Sequence, residues 1–185
     1  VMPARIFVRK ESGGRVELLA LRILTPQRFE AMTRSSKPLR IGQQLIPERS
    51  DELLTIVDLP APGRAIVEVA PASSAIVFIH AAGQMPLPPY IRRQPDAEDG
   101  IDQTRYQTIF ADPIGSVAAP TAGLHFTPER VAKLKELGCQ FAEVTLHVGP
   151  GTFQPVRVDN IEEHEMETEH FEVSAKTSEA IAQAK

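Results

Sequence analysis

Tryptophan is absent from this chain, tyrosine occurs twice and cysteine once in 185 residues. With Cys139 alone no internal disulfide can form, and a reducing compartment is expected. Cys139 follows the helix-ending Gly138 with no base beside it, so it is expected to be a small buried hydrophobe and not a nucleophile. No apolar run approaches the roughly 20 residues that cross a bilayer, and no signal-peptide pattern is visible. A cytoplasmic protein without a membrane partner is expected. There is no G-x-G-x-x-G, Walker loop, C-x-x-C or G-x-S-x-G. Classical dinucleotide, nucleotide-hydrolysing, zinc-ribbon and serine-hydrolase readings lose their main support.

What is present is enough apolar residue, 42%, for a real core, with 24% charge. The net charge of -4 argues against indiscriminate nucleic-acid binding. Its distribution is uneven. Residues 1–40 hold nine Lys/Arg against three Glu, whereas 159–172 hold seven Asp/Glu and no Lys/Arg. One basic end suits a polyanion, with Arg5, Arg9, Lys10, Arg34, Lys37 and Arg40 as candidate RNA-phosphate contacts. A solvated surface at both ends is the commoner outcome.

Residues 3–70 read as β. Ala4–Lys10 alternates, with Ile6 and Val8 opposite Arg5, Phe7 and Arg9. Glu11–Gly14 is a turn, and Arg15–Leu24 completes a hairpin. Phe29–Thr33, Leu53–Leu59 and Ala65–Val69 are further short strands between turn-rich stretches, as in a small sandwich or barrel. Ser73–Gly83 is read as a helix with Ser73 as N-cap and Gly83 as C-cap. Met85–Tyr90, with three prolines, must be extended. A boundary near residue 85 divides 1–84 from 85–185. Beyond it a short helix over Gln103–Phe110 capped by Asp102, a helix over Glu129–Leu137 and a buried strand over Phe141–Val148 are expected. A last helix starts at Thr177 or Ser178 without a stop signal. Both ends look cut, and an internal fragment of a longer protein is expected.

The chain is organised around Gly115–Thr127, G-S-V-A-A-P-T-A-G-L-H-F-T. Nine of its thirteen residues are Gly, Ala, Ser, Thr or Pro, which suits close approach to the backbone. The run delivers His125 and Phe126 to a helix start with Thr127 as N-cap and Pro128 at the first position. Such an end attracts anions, though a tight connecting turn explains the run equally well. His147 precedes the sharp turn Gly149–Thr152. Two structural histidines are the commoner reading of His125 and His147 from the residues alone. Tyr90, Tyr106, Phe126 and Phe153 could stack a base or face a sulfonium cation, or simply pack. Over Glu162–Glu172 a strand would put Glu163, Glu165, Glu167 and Glu169 on one face and His164, Met166, Thr168 and His170 on the other. No usual zinc or calcium spacing is present there, and no metal is expected.

Four blocks, L-P-P-Y-I at Leu87–Ile91, R-Y-Q-T at Arg105–Thr108, the Gly115–Thr127 run and L-H-V-G-P-G-T-F-Q-P-V at Leu146–Val156, together resemble the S-adenosylmethionine:tRNA ribosyltransferase-isomerase family of queuosine biosynthesis. The likeness runs from Val1 to Lys185. It implies an α+β or α/β chain: a small β-barrel domain followed by part of an α/β domain. It implies ribosyl transfer from S-adenosylmethionine, as substrate and not cofactor, to 7-aminomethyl-7-deazaguanine at the wobble position of tRNA, giving epoxyqueuosine. It implies catalytic roles among His125, His147 and Glu169. Substrate contacts fall to Tyr90, Arg105, Tyr106, Thr121, Ala122, Gly123, Phe126, Gly149, Gly151, Thr152, Phe153 and His164. His164 and Glu169 match the family's H-x-M-x-x-E block, and Glu167 stands where that pattern often has His. A monomer is expected, and residues 1–185 alone are expected to be inactive. The alternatives are a non-catalytic RNA-binding module and a nucleoside enzyme acting on free small molecules.

Overall fold

A computed structural model describes residues 1–70, 73–88, 90, 91, 93, 100–153, 158–164, 166, 168 and 169–184, and the side chain of Phe153 lies outside that set. Six strands come first: β1 (Arg5–Lys10), β2 (Arg15–Thr25), β3 (Arg28–Ser35), β4 (Gln44–Pro47), β5 (Leu54–Asp58) and β6 (Arg64–Val69). They close into a barrel in the order β1-β2-β3-β6-β5-β4, every pair antiparallel. Strict alternation drives this. Ile6 and Val8, then Val16 and Leu18, then Leu54, Ile56, Ala65 and Val67 all turn inward and are fully buried. The β1–β2 turn is made at Gly13, whose φ of +83° suits glycine. The expected barrel is therefore present. One strand escaped the sequence reading: β4 has four residues and ends in a proline, too short for a periodicity to register.

Helix α1 (Ala75–Ala82) follows, capped by Ser74, whose side chain accepts from the Val77 N–H, and ended at Gly83. The N-cap is thus Ser74 and not Ser73. Ala75, Phe78, Ile79 and Ala82 close one part of the barrel core, with Phe78 stacked on Phe29. Residue Gln84 bridges back to Arg5.

Helix α2 (Gly100–Arg105) starts before the expected range and contains Asp102. Asp102 does not cap it, because its carboxylate is buried and takes a two-pronged bond from Arg93 at 2.7 and 3.0 Å. A short 3-10 turn spans Thr121–His125, and α3 (Pro128–Glu136) follows with Thr127 accepting from the Arg130 N–H and Gly138 at φ +85° beyond its end. These caps are the expected ones. Cys139, expected buried, is exposed.

Strand β7 (Val144–His147) is half the expected length and pairs antiparallel with β8 (His170–Val173); α4 (Ala175–Ala184) ends the chain. The expectation of a buried strand fails on one face. Val144 and Leu146 are 49% and 52% exposed, and they share that face with their partners Val173 and Phe171. Thr177 is buried, its hydroxyl donating to the Glu143 carbonyl, which seats α4 beside the ribbon. No described helix is long and apolar enough to cross a membrane.

Candidate functional site

Two of the sequence blocks are stitched to the barrel through the small-residue loop. Val117 is buried within the barrel's apolar cluster, and the Met2 N–H donates to the Ser116 carbonyl at 2.9 Å. The Ser116 hydroxyl donates to the Leu146 carbonyl and accepts from the Val148 N–H, at 3.1 and 3.2 Å. The loop therefore runs between the barrel and the β7 end, with β7's last residues hung on it.

That placement brings His147 onto Gly115. A side chain at 115 would collide with the imidazole, and Gly115 holds φ +151°. Here the glycine is needed twice, for its backbone angle and for the ring it admits. Across the β7–β8 pair His147 faces His170, with ring centroids 6.0 Å apart. The Gly149 N–H donates to Glu169 Oε1 at 3.0 Å, so the carboxylate fixes the turn after β7. His147, His170, Gly115, Gly149, Pro150 and Thr168 form one wall of a cavity of about 680 Å³. The barrel rim forms the other, through Arg22, Ile23, Glu30 and Arg64.

Glu30 is 8% exposed and takes hydrogen bonds from Arg22 Nε at 2.7 Å and Arg64 Nη1 at 3.0 Å. Burial raises its carboxyl pKa, but the hydrogen bonds and charges of both arginines outweigh it, and the net shift is below the usual carboxylate range. Sequence reading missed Arg22, Glu30 and Arg64. No local signal was available: in the alternation Phe29-Glu30-Ala31 the glutamate takes the outward position, and its burial comes from neighbouring strands that bring Arg22 and Arg64 to it.

The other blocks meet in a second place. The Tyr106 hydroxyl accepts from the Ala119 N–H at 3.3 Å, and Tyr106, Met85 and Ala119 form a small core with Leu87 and Leu124 against it. Burial chiefly raises the Tyr106 phenol above its ordinary value, against the opposing Ala119 bond. Gly123 packs on Thr108, where an added Cβ would lie 3.0 Å from Cγ2. Phe126 meets Phe110 edge-on at 5.7 Å. So Tyr106 is a packing residue, and Gly123 makes room for Thr108 of the R-Y-Q-T block.

The remaining predicted residues are scattered more loosely. His125 is exposed, outside the described cavity lining, and its carbonyl accepts from Arg130 at 3.0 Å. Tyr90 is 74% exposed; Arg105, Thr121, Ala122 and Thr152 are exposed, and Gly151 and His164 half-buried. The Phe153 side chain, residues 154–157, Glu165 and Glu167 lie outside the described residues. Among the described residues no group of three His, Cys, Asp or Glu could hold a metal ion.

Of the basic set, Arg5 pairs with Glu17 at 2.7 Å and Arg9 with Glu48 at 3.1 Å, while Arg34, Lys37 and Arg40 are exposed. Lys10 departs from that role. It is 8% exposed, and its ammonium donates to the Lys37 and Pro38 carbonyls at 2.6 and 3.3 Å. A lysine turned inward to tie a loop offers a phosphate little surface.

Comparison with known proteins gives four findings. The model of a family described as "Queuosine biosynthesis protein" matches residues 1–185. A Pelobacter propionicus protein named S-adenosylmethionine:tRNA ribosyltransferase-isomerase is 46% identical over all of this chain and 53% of its own length. A Coxiella burnetii protein of the same name is 46% identical over all of this chain and 52% of its own. A solved structure, the S-adenosylmethionine tRNA ribosyltransferase of Thermotoga maritima, aligns with 98% of this chain and 44% of its own at 24% identity and a TM-score of 0.39. The chain spans about half the length of the curated relatives it matches. With a family model covering every residue and curated relatives alike over the whole chain, this chain belongs to the queuosine biosynthesis protein family.

Proposed function

We propose that this chain contributes to an S-adenosylmethionine:tRNA ribosyltransferase-isomerase, acting in the cytoplasm as a monomer. In this reading S-adenosylmethionine is the ribosyl donor and 7-aminomethyl-7-deazaguanine at the tRNA wobble position is the acceptor. The product is epoxyqueuosine-tRNA, with adenine and methionine released. The observation that carries the reading is the cavity wall of His147, Gly115 and Gly149, built from two separate sequence blocks and locked by Glu169.

The chemistry asks for a base that takes a proton from the ribose carbon beside the sulfonium, support for adenine as it leaves, and room for the acceptor amine. His147 is the residue we assign to proton transfer, because its ring lines the cavity and Gly115 fixes its place. Glu169 is a positioning residue that acts through the Gly149 N–H. No step is assigned to His125, which lies outside the described lining.

The test gives the natural-length protein S-adenosylmethionine and tRNA bearing the precursor base, and follows adenine by chromatography. Adenine release that requires the tRNA is expected, with a loss of ~10²–10⁴-fold in His147→Asn. Turnover without tRNA, or methyl transfer with adenine retained, counts against the proposal.

A further inference from the structure

Strand β2 alternates cleanly between barrel interior and exterior as far as Ala20. A bulge between Ala20 and Arg22 then breaks its register with β3. Bulges at barrel rims re-aim side chains. Here Arg22 and Ile23, which follow the break, both turn to the cavity shared with His147 and His170.

Arg22 is held there by one edge of its guanidinium. Its Nε donates to Glu30 Oε2 at 2.7 Å, while the other oxygen of Glu30 is taken by Arg64 at 3.0 Å. The Glu30 side chain is only 10% exposed, yet that of Arg22 is 72% exposed. The carboxylate is thus an anchor inside the rim, and the arginine's outer edge is offered outward. With Nε engaged, the two Nη groups are left as paired, parallel donors, which match the two oxygens of a carboxylate or phosphate. Neutralising the buried Glu30 carboxylate uses only the Nε edge of Arg22, so that pairing does not account for the outward aim of the Nη edge.

We propose that Arg22 is an anion-recognition residue, binding a pair of anionic substrate oxygens in this cavity, with Glu30 as its positioning residue. The inference rests on the proposed function, which supplies two sources of that chemistry: the carboxylate of S-adenosylmethionine and a phosphate of the tRNA.

The test compares the natural-length protein with Arg22→Ala, Arg22→Lys and Glu30→Gln. S-adenosylmethionine binding is read by calorimetry and tRNA binding across a salt series. If the anion is the carboxylate, Arg22→Ala weakens S-adenosylmethionine by about 10- to 100-fold and leaves tRNA binding alone. If it is a phosphate, Arg22→Ala flattens the log–log salt slope for tRNA by roughly 0.7–0.9 and leaves S-adenosylmethionine alone. Arg22→Lys keeps the charge without the fork, so it restores the salt slope but only part of a carboxylate's affinity. Glu30→Gln weakens the same ligand that Arg22→Ala weakens, and its effect disappears when Arg22 is already alanine. A purely structural Glu30 would act equally in both backgrounds. Wild-type binding of either ligand with Arg22→Ala indistinguishable from it overturns this inference alone. Wild type that binds neither overturns the proposed function and this inference together. Arg22 is mostly exposed, so a thermal melt separates loss of binding from loss of fold, and the lysine variant provides a second reading.

Discussion

Replacing Gly115 with alanine puts a methyl group where the His147 ring lies. The new Cβ would sit inside 3 Å of Nδ1 and 2.9 Å from Cε1, whereas ordinary contact begins near 3.4 Å. Either the ring retreats by about 1 Å or the loop does. A side chain at φ +151° adds backbone strain of about 1–3 kcal/mol on its own. Those two costs can be separated. Gly13→Ala carries positive φ (+83°) with nothing within 4 Å, so it reports strain alone. In a His147→Ala background Gly115→Ala loses its steric partner, and its cost should fall to that of strain alone. Urea unfolding of the four proteins in the Gly115/His147 cycle, with Gly13→Ala beside them, should give a coupling of roughly 0.5–3 kcal/mol. Activity should move more than stability, since a catalytic group displaced by ~1 Å loses on the order of 100-fold. A Gly115→Ala cost that is the same with and without the ring would refute the close packing of His147 on Gly115.

Three further outcomes follow from the same geometry. Because the folded Glu30 carboxyl lies below its ordinary 4.5, its contribution to stability is present above that value and is lost as pH falls through the folded pKa. The gap in urea midpoint between wild type and Glu30→Gln should therefore narrow from about pH 6 to about pH 3, and a gap independent of pH would be the contrary result. Tyr106→Phe strips the Ala119 N–H of its acceptor in a buried place and should cost about 1–3 kcal/mol in thermal or urea unfolding. A change within error would mean that water or a neighbour takes over the bond. For tRNA, replacing Arg9, Arg34 and Arg40 together by Gln should flatten the log–log salt slope by roughly 2–3, while Lys10→Met, which faces the Lys37 and Pro38 carbonyls, should leave the slope alone and lower the melting temperature.

The barrel was legible because its signal is local. Each strand but one is long enough to alternate, and Gly13 marks the turn its angle requires. β4 was hidden because two cross-strand registers, and not its own four residues, define it. Helix α2 was displaced because Arg93 claims Asp102, a partnership nine residues apart through a stretch with no periodicity. Phe141–Val148 reads as a buried strand from its composition, but burial is a property of neighbours, and on the outer face of Val144–His147 the side chains of Val144 and Leu146 stay half-exposed. The candidate site was half legible. His147, Gly149 and Glu169 were named from their blocks, and they do meet. His170 is legible only as part of one strand face, because its pairing with His147 depends on a β7–β8 register that no single segment encodes. Arg22 was invisible for a similar reason: the bulge that aims it is a mismatch between two strands.

The plug that Val117 makes in the barrel's apolar cluster has a consequence for cooperativity. Loops usually exchange their amide protons by small local openings, far below the free energy of global unfolding. The Val117 amide bonds the Val148 carbonyl at 2.8 Å, beside a side chain that is 1% exposed. It cannot open unless the barrel releases that side chain. The amide of Val117 should thus exchange as slowly as those of Ile6 or Leu18, while nearby loop amides such as Ile114 exchange quickly. The wall that carries His147 then belongs to the barrel's foldon, and a core substitution on the far side of the barrel loosens the site by lowering the stability of that unit, without touching any residue that lines it.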